Sequence, residues 1–266
     1  SQSVSGATAI GNSFSMAREQ ALHFRDALRD ARAVALADAE AFDELLFAIE
    51  RLGRYIHGQH GNLGIYRAGL QRLAAASPLA ETLPKLLPEW HSTFESLLRQ
   101  LREARNSALH EGAFARHLAS HAIAVALILE DALMNGSDQI GDFMTRTPVC
   151  ALLWQPISFV RQTMLARSFS FLPLNVGGDG TPDWRLISDA AVAGFLRNAS
   201  EPKRALGLTL QEAMANSGLR SATPFVCSPG TSVREALDCC RDLPVLIVAS
   251  QDPATLLGIA APFDLL

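Results

Sequence analysis

The sequence predicts a multidomain protein in which an all-α helical bundle is followed by an α+β unit of two tandem modules. Three observations lead to this prediction. Apolar residues recur at helical spacing through the first half, the turn-forming stretch Asn135-Gly136-Ser137-Asp138 ends that pattern, and a strand-helix-strand-strand-helix pattern then occurs twice. With 266 residues, the chain is long enough for two hydrophobic cores of ordinary size.

Composition and charge restrict the classes of protein that this chain can represent. With 48% hydrophobic and 19% charged residues, the chain is typical of a globular protein. Its formal net charge of −4 at pH 7 excludes a protein that coats nucleic acid with a broad basic face, so any nucleic-acid site must be local. The cysteines lack CxxC spacing and predict free thiols in a reducing compartment, so we expect a cytoplasmic location.

Neither a secretion signal nor a membrane span is expected. Residues 1–15 are small and polar and lack the basic and apolar regions of a signal peptide, so they predict a flexible N-terminus. The longest aliphatic run, Ala122 to Leu129, is too short to span a bilayer and is bounded by His121 and Glu130, which are costly in lipid. We interpret this run as the buried stripe of a helix and expect no membrane partner.

Residues 16–137 are predicted to form the helical bundle. Their apolar residues follow helical spacing and show little of the alternation typical of strands. Helices are expected at residues 16–37, 40–57, 65–76, 89–110 and 113–134. Gly58, Gly61 and Gly64 are expected to end the second helix, and a proline-rich connection precedes the fourth.

The stretch Arg105-Asn106-Ser107-Ala108-Leu109-His110 ends the fourth predicted helix and is followed by Gly112 and another long helix. It resembles the RNxxxH signature of HEPN domains, small helical bundles that include many metal-independent ribonucleases of toxin, antiphage and stress systems. This resemblance implies that Arg105, Asn106 and His110 are catalytic. Because residues five apart lie roughly 140° apart around a regular helix, either the last turn loosens or two protomers share one cleft. The resemblance implies the second arrangement, a composite site at a two-fold dimer interface.

The residue types fit metal-independent RNA cleavage, because RNA carries its own nucleophile. His110 can move the proton of a 2′-hydroxyl or of the leaving oxygen near neutral pH. Arg105 offers fixed donors to phosphate oxygens, and Asn106 can orient either group. The further cations Arg99, Arg102 and Arg116 are expected to bind RNA. The alternative is that Arg105 and His110 form only a solvated helix end, with the histidine near the negative end of the helix dipole.

His117 and His121 are spaced as i and i+4 on one helix face, which could suit a metal ion. No acidic or cysteine ligand accompanies them at a recognisable spacing. We therefore interpret them as surface or interface histidines and expect no metal site.

Residues 138–266 carry the repeated pattern, and the two modules are expected at 138–200 and 208–266. The matching segments are Thr147-Pro148-Val149 with Thr223-Pro224-Phe225 at the first strand, Val160-Arg161 with Val233-Arg234 in the first helix, and Leu172-Pro173-Leu174 with Leu243-Pro244-Val245 in the next strand. Together with the ending Leu257-Gly258-Ile259-Ala260-Ala261-Pro262-Phe263-Asp264, this pattern resembles a pair of CBS modules, named after cystathionine β-synthase. The resemblance implies clefts that bind adenine nucleotides or related ligands.

Family members that bind ribose often have a Thr or Ser after the last strand and an Asp three residues later. Here Ser188 keeps the hydroxyl but Ala191 replaces the acid, whereas Ala261 replaces the hydroxyl and Asp264 keeps the acid. Ser188 and Asp264 are therefore the candidate nucleotide-binding residues, and we expect weak binding or binding in one cleft. The alternative is a degenerate pair that serves only for dimerisation.

The sequence as a whole predicts a metal-independent endoribonuclease regulated by a ligand on the CBS pair, as in a toxin or an antiphage or stress effector. Its expected partners are an RNA substrate and a second copy of the chain, in a homodimer or higher oligomer. No cofactor is expected for catalysis, and an adenine nucleotide is the expected regulatory ligand. The alternative is a non-catalytic, nucleotide-sensing adaptor in which the helical unit only dimerises or docks a partner.

Overall fold

The chain divides into two compact units, Ser1–Gly136 and Ser137–Leu266. The computed structural model describes residues 16–108, 115–178, 180–216 and 218–266, and it leaves out the side chains of 106–108, 115, 116 and 216. Within these ranges, the first unit contains helices and turns, and the second unit contains both helices and strands. The tandem α+β part that the sequence predicts is therefore confirmed, whereas the HEPN type of the helical unit stays a prediction.

The predicted helices of the first unit are present with shifted ends, and a short helix, α4, was not predicted. They are α1 (Arg18–Ala37), α2 (Phe42–His57), α3 (Leu63–Ala74), α4 (Thr82–Leu86), α5 (Phe94–Ala108) and α6 (Ala115–Met134). Gly58 ends α2 in the left-handed conformation, with φ of 78°, as expected for a residue that follows a helix. Asn62 then begins α3, because its side chain accepts hydrogen bonds from Gly64 N and Ile65 N.

The core of the first unit is formed by the apolar faces of these helices. Leu45, Ile49 and Leu52 of α2 are fully buried, as are Leu101 of α5 and Leu129 of α6. These residues share one contiguous cluster. The periodic apolar pattern therefore marks the buried faces, as expected for amphipathic helices.

Among the described helices, α6 is long and apolar enough over His117–Met134 to cross a membrane by length and composition alone. However, 56% of that segment is buried inside the protein. Its acidic residues are paired within the unit: Glu130 accepts from Arg32 Nε at 2.8 Å, and Asp131 accepts from Ser77 Oγ at 2.5 Å. These observations describe α6 as the core helix of the bundle.

The second unit contains two short sheets and several helices. Its strands are β1 (Thr145–Arg146), β2 (Phe171–Asn175), β3 (Trp184–Ser188), β4 (Val226–Cys227), β5 (Val245–Val248) and β6 (Leu256–Ala260). Its helices are α7 (Ile157–Arg167), α8 (Asp189–Asn198), α9 (Pro202–Ala205), α10 (Leu210–Asn216) and α11 (Val233–Cys240), and a 3-10 helix covers Pro262–Leu265. Separate apolar clusters lie under the two modules.

The two sheets have the same order of pairing. In the second module, β4 is parallel to β5, β5 is antiparallel to β6, and β6 is antiparallel to β1. In the first module, Ala151 pairs in parallel with β2, β2 is antiparallel to β3, and β3 pairs with Ala222 in antiparallel fashion. Each sheet is thus completed by the segment that precedes the other module. This strand exchange ties the modules together, since one module alone would leave a sheet edge unpaired.

The exchange changes two expectations from the sequence. The segment 138–146, assigned by sequence to the first module, pairs with the second, as in the contacts Gln139 with Ser232 and Thr145 with Ile259. Thr147-Pro148-Val149 is not a strand, because Thr147 has a positive φ of 48° that extended pairing does not allow. The strand prediction at this position was therefore wrong, and the pairing begins at Ala151 instead.

Candidate functional site

Arg105 lies in the last described turns of α5 and is held by an acidic residue of another helix. Its Nη1 donates to Glu50 Oε1 of α2 at 2.5 Å, and the two side chains are 36% and 19% exposed. A charge-assisted contact of this kind fixes the guanidinium and offsets part of its charge. Because a guanidinium has five N–H donors, one acceptor does not saturate it. Glu50 could not be predicted from the sequence, since no local pattern connects residues 55 positions apart.

Arg99 and Arg102 lie on the same helix and face the start of α3. Together with Leu63, Arg67, Glu95 and Leu98, they line a shallow notch of about 30 Å³. Arg67 and Glu95 form an ion pair at 3.3 Å, whereas Arg99 and Arg102 have no ion pair in the part of the chain that the structure describes. A local cationic surface therefore exists on this unit, although the chain as a whole is acidic.

Several predicted residues cannot be placed. His110 and the side chains of Asn106 and Arg116 lie outside the described residues. The structure therefore brings Arg105, Arg99 and Arg102 onto one helix and leaves the catalytic grouping a prediction.

His117 and His121 contact each other on α6, with ring centroids 4.6 Å apart in an edge-to-face arrangement. Burial, and more weakly the neighbouring His117, lowers the pKa of His121. In the described ranges, no three histidine, cysteine or acidic side chains converge in a way that could hold a metal ion.

Ser188 is the last residue of β3 and Asp264 follows β6, so each lies at the turn where the last strand of a module ends. Ser188 caps α8, because its Oγ accepts from Ala191 N at 3.0 Å. Asp264 lies in the 3-10 helix and its Oδ2 accepts from Ala261 N at 3.4 Å. The two residues thus occupy equivalent turns in different modules, and both are engaged in capping a helix.

The first module also has a large cleft that the sequence analysis did not predict. We call it the linker cleft, because it lies between α8 and the chain that connects the two modules. Its volume is about 710 Å³, and it is lined by Ala191, Gly194, Phe195, Asn198, Ala199, Ser200, Glu201, Arg204, Ala205, Leu208, Gly218 and Arg220. These residues come from three separate segments and many are small, so no spacing rule could have identified them.

Two arginines give the linker cleft its charge. Arg204 belongs to α9, and Arg220 follows Gly218, whose φ of 80° turns the chain after α10. Both arginines are exposed, and within the described residues neither forms an ion pair or a side-chain hydrogen bond. Glu201 is the acidic residue among those that line the cleft, so the lining carries a net positive charge.

Comparisons with known proteins give no family assignment: no protein-family model and no curated protein matches the chain. The second unit repeats one strand order in its two modules, as the resemblance to a pair of CBS modules implies. Similar solved structures include an acetoin utilization protein, AcuB, of Vibrio cholerae (19% identity, TM-score 0.37, covering 47% of this chain and 85% of that one). CBSX2 in complex with AMP has 18% identity and a TM-score of 0.36, with 48% and 93% covered. The cytosolic domain of the Mg²⁺ channel MgtE in complex with ATP has 18% identity and a TM-score of 0.35, with 90% and 98% covered.

Proposed function

We propose that this chain is a ligand-responsive regulatory protein of the cytoplasm whose CBS-like pair senses an adenine nucleotide. The observation that carries the proposal is the pair of equivalent turns at Ser188 and Asp264 in two strand-exchanged modules. An exchanged pair can pass a ligand's effect from one module to the other, because each sheet contains a segment contributed from outside its own module.

The two turns can each contact a ribose while they cap a helix. The Ser188 hydroxyl accepts from Ala191 N, so its own proton stays free to donate to a ribose oxygen. Asp264 is exposed and uses one carboxylate oxygen, so the other can accept from a ribose hydroxyl. Each turn has half of the polar groups of a complete site, which supports weak binding or binding in a single cleft.

Isothermal titration of the full chain with AMP, ADP and ATP tests this function. Ser188→Ala and Asp264→Asn should each weaken nucleotide binding by about tenfold, the loss expected for one hydrogen bond to a ligand. Ser158→Ala, at an exposed serine of α7, is the matched control and should bind like the parent protein. Absence of binding by any adenine nucleotide would leave the pair a scaffold and contradict the proposal.

We propose RNA cleavage by the helical unit as a second function, on the support of one observation. The charge pair with Glu50 orients Arg105 on a helix that also carries Arg99 and Arg102. In this proposal Arg105 stabilises the charge of the phosphate, Asn106 orients it, His110 transfers protons, and Arg116 helps to bind RNA. A homodimer would place two copies of the motif in one cleft.

Incubation of the purified protein with mixed RNA in the presence of a chelator tests the second function. Arg105→Ala and His110→Ala should each reduce the cleavage rate by about 10²–10⁴-fold, whereas Arg161→Ala, at an exposed arginine of the other unit, should leave it unchanged. Products should end in a 2′,3′-cyclic phosphate. Activity that requires Mg²⁺ would show that Arg105 and His110 have been given the wrong roles. No activity at all would favour the adaptor in which the helical unit only dimerises or docks a partner.

A further inference from the structure

We infer that the linker cleft is a ligand site of its own, separate from the turns at Ser188 and Asp264, and that it binds a small organic anion carrying an apolar group. Neither Ser188 nor Asp264 lines it, although Ala191, whose N–H donates to Ser188, is part of its lining. Its volume of about 710 Å³ lies in the range of pockets that hold small molecules, roughly 300–1,000 Å³.

Arg204 and Arg220 indicate that the ligand has an anionic group. Each arginine is next to a buried residue that fixes its backbone: Ala205 is 5% exposed and Leu219 is 4% exposed. Leu219 N also donates to Ala213 O at 3.0 Å, which ties this segment to α10. Two guanidinium groups on anchored backbone, from two different segments, can bind a phosphate or carboxylate between them, each with two parallel hydrogen bonds.

The apolar residues that line the cleft indicate that the rest of the ligand is apolar. Phe195 and Ala205 are buried in the core of the first module, and Leu208 packs against that core. Asn198 and Ser200 add an amide and a hydroxyl that can fix the orientation of the ligand. Glu201 disfavours a second negative charge at its end of the cleft and can accept from a hydroxyl or amine of the ligand. The combination fits one anionic group with an uncharged remainder.

Binding in this cleft would act on the connection between the modules. Arg204 and Arg220 both belong to the chain between α8 and β4, whereas Phe195 and Gly194 belong to α8. A ligand that contacts both groups of residues must tie the linker to the first module. This is a physical route by which a metabolite could change how the module pair responds to its other ligand.

The cleft can be filled without disturbing the fold. Gly194 is a helical glycine, and a Cβ added there would meet no atom within 4 Å. Gly194→Leu therefore places a side chain in the cleft and also improves helix propensity. Gly230→Leu is the matched control, since a Cβ at Gly230 likewise meets open space and Gly230 does not line the cleft.

The probe is 8-anilinonaphthalene-1-sulfonate, an aromatic anion whose fluorescence rises in apolar surroundings, titrated into the full chain. Gly194→Leu should abolish one saturable binding event per chain, and Gly230→Leu should retain it. Arg204→Gln and Arg220→Gln should each raise the dissociation constant by about tenfold or more, the cost expected for a lost charged hydrogen bond. Glu201→Gln should lower that constant, because it removes a negative charge beside the bound anion.

Control variants and competitors complete the test. Arg161→Gln and Arg234→Gln, at exposed arginines outside the cleft, should bind the probe like the parent protein. Phenyl phosphate and benzoate, each with one anionic group and an apolar remainder, compete for the cleft, and the stronger competitor assigns the phosphate or the carboxylate class. Asp264→Asn should leave probe binding unchanged, so a failure of the nucleotide proposal would not affect this one.

Three results would overturn the inference. The first is probe binding that survives both Gly194→Leu and the double change at Arg204 and Arg220. The second is probe binding that neither phenyl phosphate nor benzoate displaces. The third is a tenfold loss of probe binding in Asp264→Asn, because the cleft would then not be separate from the nucleotide turn. If Gly194→Leu does not fold, the arginine and Glu201 variants decide the outcome, because they should change the dissociation constant of the probe in opposite directions.

Discussion

Ser188 and Asp264 show how one pattern can serve stability and ligand binding at once. An N-cap hydroxyl and an acidic residue three positions later form a capping box, in which each side chain satisfies the backbone N–H of the other residue. This spacing is the same as that of the ribose-binding pattern in the CBS resemblance. Each module here keeps one half of the box, Ser188 in the first and Asp264 in the second. Both residues could be predicted from the sequence. Because a capping box and a ribose site have the same spacing, the sequence could not show which of the two roles each residue has.

The capping contacts predict opposite changes in stability at the two turns. Ser188→Ala should lower the free energy of unfolding by about 1 kcal/mol, because Ala191 N loses its acceptor. Ala261→Ser should raise it by about 0.5–1 kcal/mol, because a hydroxyl there would complete the box with Asp264. Urea denaturation measures both, and Ser158→Ala should shift the value by no more than about 0.5 kcal/mol. An unchanged Ser188→Ala protein would contradict the capping role.

Thr147 holds a backbone conformation that β-branched residues rarely adopt. Its φ is 48°, and it precedes Pro148. Such strain costs about 1–3 kcal/mol. A glycine adopts the same conformation without strain, but it loses more backbone entropy on folding, which costs about 0.5–1 kcal/mol. Thr147→Gly should therefore raise the free energy of unfolding by about 1 kcal/mol. Thr145→Gly, in strand β1, relieves no strain and should lower the free energy of unfolding. A chemical denaturation experiment in which both variants have a lower free energy of unfolding than the parent protein would show that Thr147 is not strained.

At the scale of elements, the crossing of α2 and α3 depends on two glycines. A Cβ at Gly53 would lie 2.7 Å from Tyr66 Cβ, and a Cβ at Gly69 would lie 2.7 Å from Ile56 Cγ2. Real Cβ atoms do not approach so closely, so the helices can touch only because both positions lack a side chain. From the sequence, only Gly58, Gly61 and Gly64 were interpreted, as residues that end α2, and a close crossing at Gly53 and Gly69 was not predicted.

Gly53→Ala should lower the free energy of unfolding by about 1–3 kcal/mol, because overpacking forces the two helices apart. This loss should appear although alanine improves helix propensity by about 1 kcal/mol. Gly194→Ala lies in a helix with open space at that position, so it should raise the free energy of unfolding by up to about 1 kcal/mol. Thermal unfolding of the two variants beside the parent protein measures the contrast. Equal stabilisation by both changes would show that α2 and α3 do not approach closely at Gly53.

Local sequence patterns predicted the helices and strands better than they predicted which of them contact each other. Periodicity placed the long helices of the first unit, because each buries one apolar face, as Leu45 and Ile49 do on α2. The short α4 was missed, since Pro84 suggested a break, although proline is tolerated in the first turn of a helix. The pair of Arg105 and Glu50, like the linker cleft, joins segments distant in sequence. A single sequence contains no signal for such contacts.

At the scale of the whole molecule, the strand exchange shows the same limit. The pairing of β1 with β6 involves two residues on each strand, Thr145 with Ile259 and Arg146 with Gly258. Hydrophobic alternation specifies which face of a strand is buried, but not which strand lies beside it. The internal repeat was sufficient to predict two related modules. The exchange between them follows from the completed sheets and could be established only from the fold.

The two units have separate cores, which predicts two separable unfolding transitions. Leu101 is fully buried in the core of the first unit, and Ile247 is fully buried in that of the second. Leu101→Ala and Ile247→Ala should each lower the stability of its own unit by about 2–5 kcal/mol, through lost burial and the cavity left behind. Calorimetry should show one transition shifted in each variant. Tryptophan fluorescence assigns the transitions, because Trp90 lies in the first unit and Trp154 and Trp184 lie in the second.

Saturating adenine nucleotide should raise the midpoint temperature of only the transition assigned to the second unit, since a ligand stabilises the part of the chain that binds it. A single transition that both variants and the nucleotide shift equally would show that the two units unfold as one cooperative body.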